Sequence, residues 1–275
     1  MKKLFVASLL LMLFFGVSSA QSSFERPSDY EPVLTRSEFF GAQKSEGSNF
    51  LVLRDQLPWG LDVTVPILLG KGATVTTATS TDFPGLDFAD YCVVVIESSQ
   101  SSDFYAAYTS NFSKFVDYVE SGGVLQVHAA TFTSPSVAEI TLPGGTVPVG
   151  NPVSTNIVAL PTHPIVAGVP SPFSGSSASH GYLDNLVPGA IIITEQSNNQ
   201  PTTIEYTLGS GLVIATTVTY EFAYYHNWGA AEMLPNSLQY SSDFSPQPVP
   251  LSNWALFSGI FLIMLFTAFR FKRVV

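Results

Sequence analysis

Four histidines and one cysteine are the side chains in this sequence best suited to acid–base, nucleophilic or metal chemistry. His128 falls at the expected C-terminal end of a central strand, and Glu97 ends the neighbouring one. Open α/β sheets keep their binding crevice at that edge. A His/Glu pair there suits metal binding or service as acid and base. The plainer alternative is that both are hydrogen-bonded residues of the fold. His163 stands in a His-Pro-Ile turn, where a side chain bonding the backbone would fix the loop. His180 and His226 fall in loops, and no pair has the near-neighbour spacing of a zinc site, so no metal is assigned. Cys92 lies in the apolar run Tyr91 to Ile96 and reads as a small buried hydrophobe; alone, it cannot form an intramolecular disulfide. The aromatic run Tyr220 to Trp228 reads as packing of a loop against the core, with a sugar-stacking platform as the alternative. There is no Gly-rich phosphate loop with Lys, no Gly-x-Ser-x-Gly elbow and no Gly-x-Gly-x-x-Gly. No cofactor is expected.

The elements that must position Glu97 and His128 alternate in type. Asn49 to Leu53, Ala73 to Thr77, Tyr91 to Ile96 and Val124 to His128 read as strands. Trp59 to Leu69 has helical spacing interrupted by Pro66, and a long helix is expected over 102–120, stopped by Gly122-Gly123. Near-continuous apolar strands separated by helices predict an α/β fold with a mostly parallel sheet covered on both faces. Residues 129–160 are rich in Thr, Pro and Gly and read as a β-rich insertion. Ala190 to Thr194, Thr202 to Tyr206 and Leu212 to Thr217 are further strands; the Leu208-Gly209-Ser210-Gly211 turn joins the last two as a C-terminal hairpin. Trp228 to Tyr240 is expected to close the domain as a helix.

The chain has 275 residues with 11 basic and 21 acidic side chains, a net charge of −10. Between residues 21 and 250 the only cations are Arg26, Arg36, Lys44, Arg54, Lys71 and Lys114. Nucleic-acid binding needs a basic footprint, so that class is excluded. The ends have a different character. Lys2 and Lys3, the apolar run Leu4 to Phe15 and the small residues Ser18-Ser19-Ala20 make residues 1–20 a signal peptide, with cleavage by signal peptidase between Ala20 and Gln21. Residues 21–48 form a polar leader, and 241–250 a Pro-rich stalk. Leu251 to Phe269 carries no charge and has the length of a transmembrane helix. Arg270, Lys272 and Arg273 follow it, which places the C-terminus in the cytoplasm and the body of the chain outside.

Three segments carry a family resemblance. They are Tyr118-Val119-Glu120-Ser121-Gly122-Gly123 before a buried strand, Thr162-His163-Pro164-Ile165-Val166-Ala167-Gly168-Val169, and the glycine-led Gly209 to Thr217. In this order they resemble the class I glutamine-amidotransferase-like superfamily over residues 49–240. The resemblance implies a flavodoxin-like domain. It also implies a cysteine nucleophile on the turn after a central strand, but that turn reads Val127-His128-Ala129-Ala130-Thr131. Amidotransferase chemistry lacks its nucleophile here. The tail, with Val249-Pro250-Leu251-Ser252-Asn253-Trp254 ahead of the apolar span and Arg270, Lys272 and Arg273 behind it, resembles the sorting signals of the PEP-CTERM group. The Pro-Glu-Pro triplet of that group is missing, while Pro250, Asn253 and Trp254 occupy its place. That likeness implies an exosortase-type processing enzyme as a partner; a plain single-span anchor in the membrane is the alternative. The function expected is a non-catalytic domain displayed at the cell envelope for binding or structure. The rival is an envelope hydrolase acting on a carbohydrate or related polymer through His128 and Glu97.

Overall fold

The structure is a computed structural model that describes residues 48–132 and 134–244. The signal peptide with Ala20 and Gln21, nearly all of the leader, and the tail with Pro250, Asn253, Trp254, Arg270, Lys272 and Arg273 lie outside the described residues. Among those described, no helix is long and apolar enough to cross a membrane.

The first four strands are β1 (Asn49–Leu53), β2 (Thr74–Ala78), β3 (Val93–Ile96) and β4 (Val124–His128). Five more follow: β5 (Val147–Val158), β6 (Phe173–Asp184), β7 (Ile191–Gln196), β8 (Pro201–Leu208) and β9 (Gly211–Thr216). They form one sheet in the order β2-β1-β3-β4-β9-β8-β7-β5-β6. The pairings among β2, β1, β3, β4 and β9 are parallel, and the rest are antiparallel. The α/β class holds, but "mostly parallel" does not, because half of the sheet is an antiparallel extension. The reason is that the β-rich insertion read over 129–160 contributes a twelve-residue strand, β5, and a second of the same length, β6, follows where no strand was expected. β8 and β9 are the expected hairpin, closed with Leu208 opposite Gly211 and Gly209 at φ +60°.

Five helices complete the domain: α1 (Thr64–Gly70), α2 (Ser102–Ser110), α3 (Phe112–Glu120), α4 (Tyr220–Tyr225) and α5 (Met233–Ser242). They correct the sequence reading at three points. α1 begins at Thr64 rather than Trp59, which puts Pro66 in the first turn, where its missing N–H is not needed. The expected single helix over 102–120 is broken at Asn111, whose side-chain amide donates to the Ala107 carbonyl at 2.9 Å and competes with the backbone. The closing helix starts at Met233 and runs into the first residues assigned to the stalk.

Alternation along the parallel strands divides the core. Phe50, Val52, Val93, Val95, Val124, Leu212 and Ile214 face the layer containing Leu68, Tyr220, Met233, Leu234 and Leu238. Leu51, Leu53, Val94, Ile96, Leu125, Val127, Val213 and Ala215 face Phe104, Tyr108, Phe115 and Val119. Both faces of β1, β3, β4 and β9 are covered, which is why these strands are mostly apolar, whereas the edge strand β2 is Thr-rich and largely exposed. Each fully buried Leu, Val or Phe among them contributes about 1.5–3 kcal/mol. Cys92 corrects the reading of its run. β3 begins at Val93, and Cys92 is exposed at the strand's entry rather than buried within it.

The end of α3 meets the start of β9 at glycine. A Cβ on Gly211 would sit 2.1 Å from the Val119 carbonyl oxygen and 2.3 Å from that of Gly123. Both are backbone atoms, so no side chain can turn aside. We expect Gly211→Ala to lower stability by about 1–3 kcal/mol, read as a lower urea midpoint with unchanged slope.

Candidate functional site

β1, β3 and β4 are adjacent and in register, with Leu53 beside Ile96 and Ile96 beside Val127. The next residue on each is Arg54, Glu97 and His128, so these three side chains form a row across the strand ends. By the two-residue period they share a face with Val52, Val95 and Gln126, the face covered by α1, α4 and α5. The row lies at the switch point, where the chain passes from β1 outward to β2 and then back to β3 on the other side. The fold therefore brings Glu97 and His128 to one crevice.

Two residues the sequence did not single out complete the group. Glu221, in the first turn of α4, reaches down over the strand ends, and its Oε1 lies 2.7 Å from His128 Nδ1 and accepts the Ser98 N–H at 3.1 Å. Arg54 Nη1 donates to Glu97 Oε2 at 3.2 Å and to Asp62 Oδ1 at 2.9 Å. On the far side, His128 Nε2 lies 3.2 Å from Gln126 Oε1. The Gln126 amide donates to the Ser237 carbonyl at 2.7 Å and also bonds Ser241 Oγ, both in α5. That carbonyl accepts only, which fixes the amide with its oxygen toward His128. Both imidazole nitrogens then face oxygens, Glu221 Oε1 on one side and Gln126 Oε1 on the other.

The two glutamates are driven apart. Burial, and next the charge of Glu221, push the Glu97 carboxyl up to about 7, against the Thr64 hydroxyl and Arg54. The Thr64 hydroxyl acts on the carboxyl without hydrogen-bond geometry, since neither Thr64 Oγ1 nor Glu97 Oε1 has a hydrogen-bond partner. Burial also opposes the charge on Glu221, but the His128 charge and hydrogen bond, with the backbone N–H groups of Glu221 and Ser98, hold its carboxyl below the ordinary value. Such a split is how acid and base roles are assigned in catalytic sites. Here the group is sealed from solvent: Glu97 and Glu221 are 0% exposed and His128 1%.

Aromatic rings from separate segments lie over this edge of the sheet. Trp59, held at φ +55° in the turn Pro58–Gly60, has its ring 5.2 Å from His180, 6.0 Å from Phe222 and 6.2 Å from Phe132. A bulky residue in the left-handed region is an outlier, which marks this turn as constrained. His180 does not join the Glu97 group; its Nδ1 lies 2.6 Å from the Thr131 carbonyl, and burial lowers its pKa. His226 packs on Phe222 and stacks on Trp228. His163 fixes its turn as expected, Nδ1 accepting the Ile165 N–H at 3.2 Å. Its Nε2 lies 3.3 Å from Glu205 Oε1 without hydrogen-bond geometry, forming a second buried His/Glu contact. Among the described residues no group of three or more His, Cys, Asp or Glu is arranged to hold a metal ion. The turn after β4 carries Ala129 and Ala130, both 0% exposed, with no nucleophile.

Fold and site together define an α/β domain whose strand-end crevice is filled by its own ion-pair network. No family model matches the chain. An uncharacterised protein of Clostridium acetobutylicum is 25% identical over 201 residues, which cover 72% of this chain and 21% of that protein. The chain thus spans about a fifth of the length of the curated relative it matches. Solved structures similar to it include a cytoplasmic protein of Salmonella typhimurium LT2, with 15% identity, TM-score 0.48 and coverage of 70% of this chain and 98% of that one. A glutamine amidotransferase from Thermotoga maritima has 11% identity, TM-score 0.46 and coverage of 72% and 86%. The exo-β-1,4-mannosidase Op5Man5 from an Opitutaceae bacterium has 13% identity, TM-score 0.46 and coverage of 73% and 37%.

Proposed function

We propose that this chain is an exported, membrane- or surface-anchored protein. Its α/β domain is flavodoxin-like and glutamine-amidotransferase-like, and it acts at the cell envelope by binding or structure rather than by turnover. One observation carries the non-catalytic reading. The residues best placed for chemistry, Glu97, His128 and Glu221, are sealed and bonded to one another and to Arg54 and α5. A general acid or base must reach the proton it transfers, and these do not reach solvent. The convergence of the same residues favours the rival reading, hydrolysis of an envelope carbohydrate or related polymer. One experiment separates them. The full chain in mild detergent, incubated with cell-wall and capsular polysaccharides, is expected to release no reducing ends above background. Release that Glu97→Gln abolishes, with the melting curve preserved, would establish the hydrolase.

Export and anchoring rest on the sequence of the two ends. Mass spectrometry of the protein isolated from cells is expected to show Gln21 as the first residue, and a precursor still carrying residues 1–20 at the surface would overturn export. The same spectrum reads the tail. Loss of the residues after about Leu251 marks processing by an exosortase-type enzyme, and their presence marks a simple membrane anchor.

A further inference from the structure

The edge of the sheet where α/β domains keep a crevice has a closed floor here, and above it the chain exposes rings. Among the described residues six large hydrophobic side chains are exposed, and four of them, Leu57, Phe132, Tyr224 and Tyr225, come from the segments that meet at this edge. Phe132 is 82% exposed and Tyr225 60%. Phe132 and Tyr225 each pack on another ring. Trp59 joins the Phe132 loop to α4 through its contacts with Phe132 and Phe222, and the ring of His226 lies 5.0 Å from Tyr225. Isolated exposed hydrophobics are ordinary, but a cluster from several segments marks a contact surface.

The charges nearby identify what it contacts. The described residues hold three Lys or Arg side chains, and each is engaged within the domain. Arg54 pairs with Asp62 and Glu97, Lys71 bonds Gln239, and Lys114 is bonded to the carbonyls of Phe83, Pro84 and Leu86. With a net charge of −10 the chain repels polyanions and offers them no cationic contact here. A cationic partner would need carboxylates among the rings, but those of the β1 and β3 ends, the β1–α1 turn and α4 are engaged within the domain. Asp55 accepts the Ser80 N–H and hydroxyl, Asp62 is tied to Arg54, and Glu97 and Glu221 are sealed. What remains is uncharged: ring faces with phenol, imidazole and amide groups at their margins. A pyranose presents the complement, an apolar C–H face bordered by hydroxyls, and ring faces with polar tips suit it.

We propose that the surface formed by Trp59, Phe132, Tyr224 and Tyr225 docks a neutral polysaccharide, its sugar rings stacking on the exposed aromatic faces. The proposal rests on the binding reading above and names its ligand class. The test uses the full chain in detergent on an array of neutral, anionic and cationic glycans, followed by affinity electrophoresis in the neutral polysaccharides that bind. The wild type is expected to bind neutral glycans only. Phe132→Ser combined with Tyr225→Ser is expected to weaken binding at least tenfold without changing the melting temperature, as both side chains are largely exposed. Retention on cationic or anionic glycans alone, absence of any binding, or full binding by the double variant would each overturn the proposal. So would dimers in sedimentation that the double variant converts to monomers, since the surface would then belong to a second copy. A glycan that is bound and also cleaved, with cleavage lost in Glu97→Gln, would refute the non-catalytic reading and leave the docking surface standing.

Discussion

Replacing His128 with alanine is expected to lower the unfolding free energy by about 3–5 kcal/mol, the usual cost of removing one partner from a buried ion pair. His128 holds both neighbours: one ring nitrogen meets Glu221 at 2.7 Å and the other meets Gln126 at 3.2 Å. Without the ring, the Glu221 carboxylate stays at 0% exposure, with backbone N–H groups its only compensation, and still faces Glu97. The Gln126 oxygen loses its donor on that side, and the space the ring filled against Tyr220, 5.1 Å away, opens as a cavity. Much of this cost belongs to the stranded charge, which gives a sharper test. In His128→Ala combined with Glu221→Gln the charge is gone, so the double variant is expected to be more stable than His128→Ala alone. Urea unfolding followed by tryptophan fluorescence measures the cycle. A loss below about 1 kcal/mol in the single variant, or strict additivity in the double, would show that the pair contributes little to the fold.

The legible and illegible parts of this site differ for physical reasons. Glu97 and His128 are visible in the sequence because each is an ionisable group at the end of a buried, mostly apolar strand, and a parallel sheet places such positions side by side. Arg54 has the same signature after Asn49 to Leu53, and only the missing partner in the reading hid it. Glu221 is different. Its helix is six residues long and mostly aromatic, too short to show a polar and an apolar face. One signal was present: a single carboxylate inside the run Tyr220 to Tyr225, which a core-packing segment has no reason to keep unless it is paired. The fold divides in the same way. The parallel half was readable because β1, β3, β4 and β9 are buried on both faces and mostly apolar, and the edge strand β2 is rich in β-branched residues. β5 and β6 were not, because they alternate half-buried and exposed positions, are rich in Ser, Gly and Asn, and shift register at Gly150 and Val153. Their pairing is decided across the sheet rather than along the chain.

Glu97 carries the other large expectation, a dependence of stability on pH that Glu97→Gln removes. Its carboxyl titrates near 7 in the folded domain against 4.5 for the unperturbed group. Between those values the folded protein keeps a proton that the unfolded chain has lost, so raising the pH favours unfolding. The shift corresponds to about 3 kcal/mol, given up progressively as pH rises from 4.5 to about 7. Glu221 slopes the other way: with its folded pKa held low, its contribution is intact above the ordinary carboxyl range and is lost as pH falls through the folded value. The two carboxyls therefore place their best combined stability on the acid side of neutrality, with Glu97 protonated and Glu221 ionised. A glutamine at position 97 keeps the shape and has no proton to lose, and Arg54 retains Asp62 at 2.9 Å. Whatever constant offset the substitution brings, the difference between variant and wild type is expected to move in favour of glutamine by about 3 kcal/mol from pH 4.5 to pH 8. Chemical denaturation of both proteins at several pH values across that span measures it. Parallel curves would mean that Glu97 is ionised throughout, with Arg54 at 3.2 Å balancing its charge.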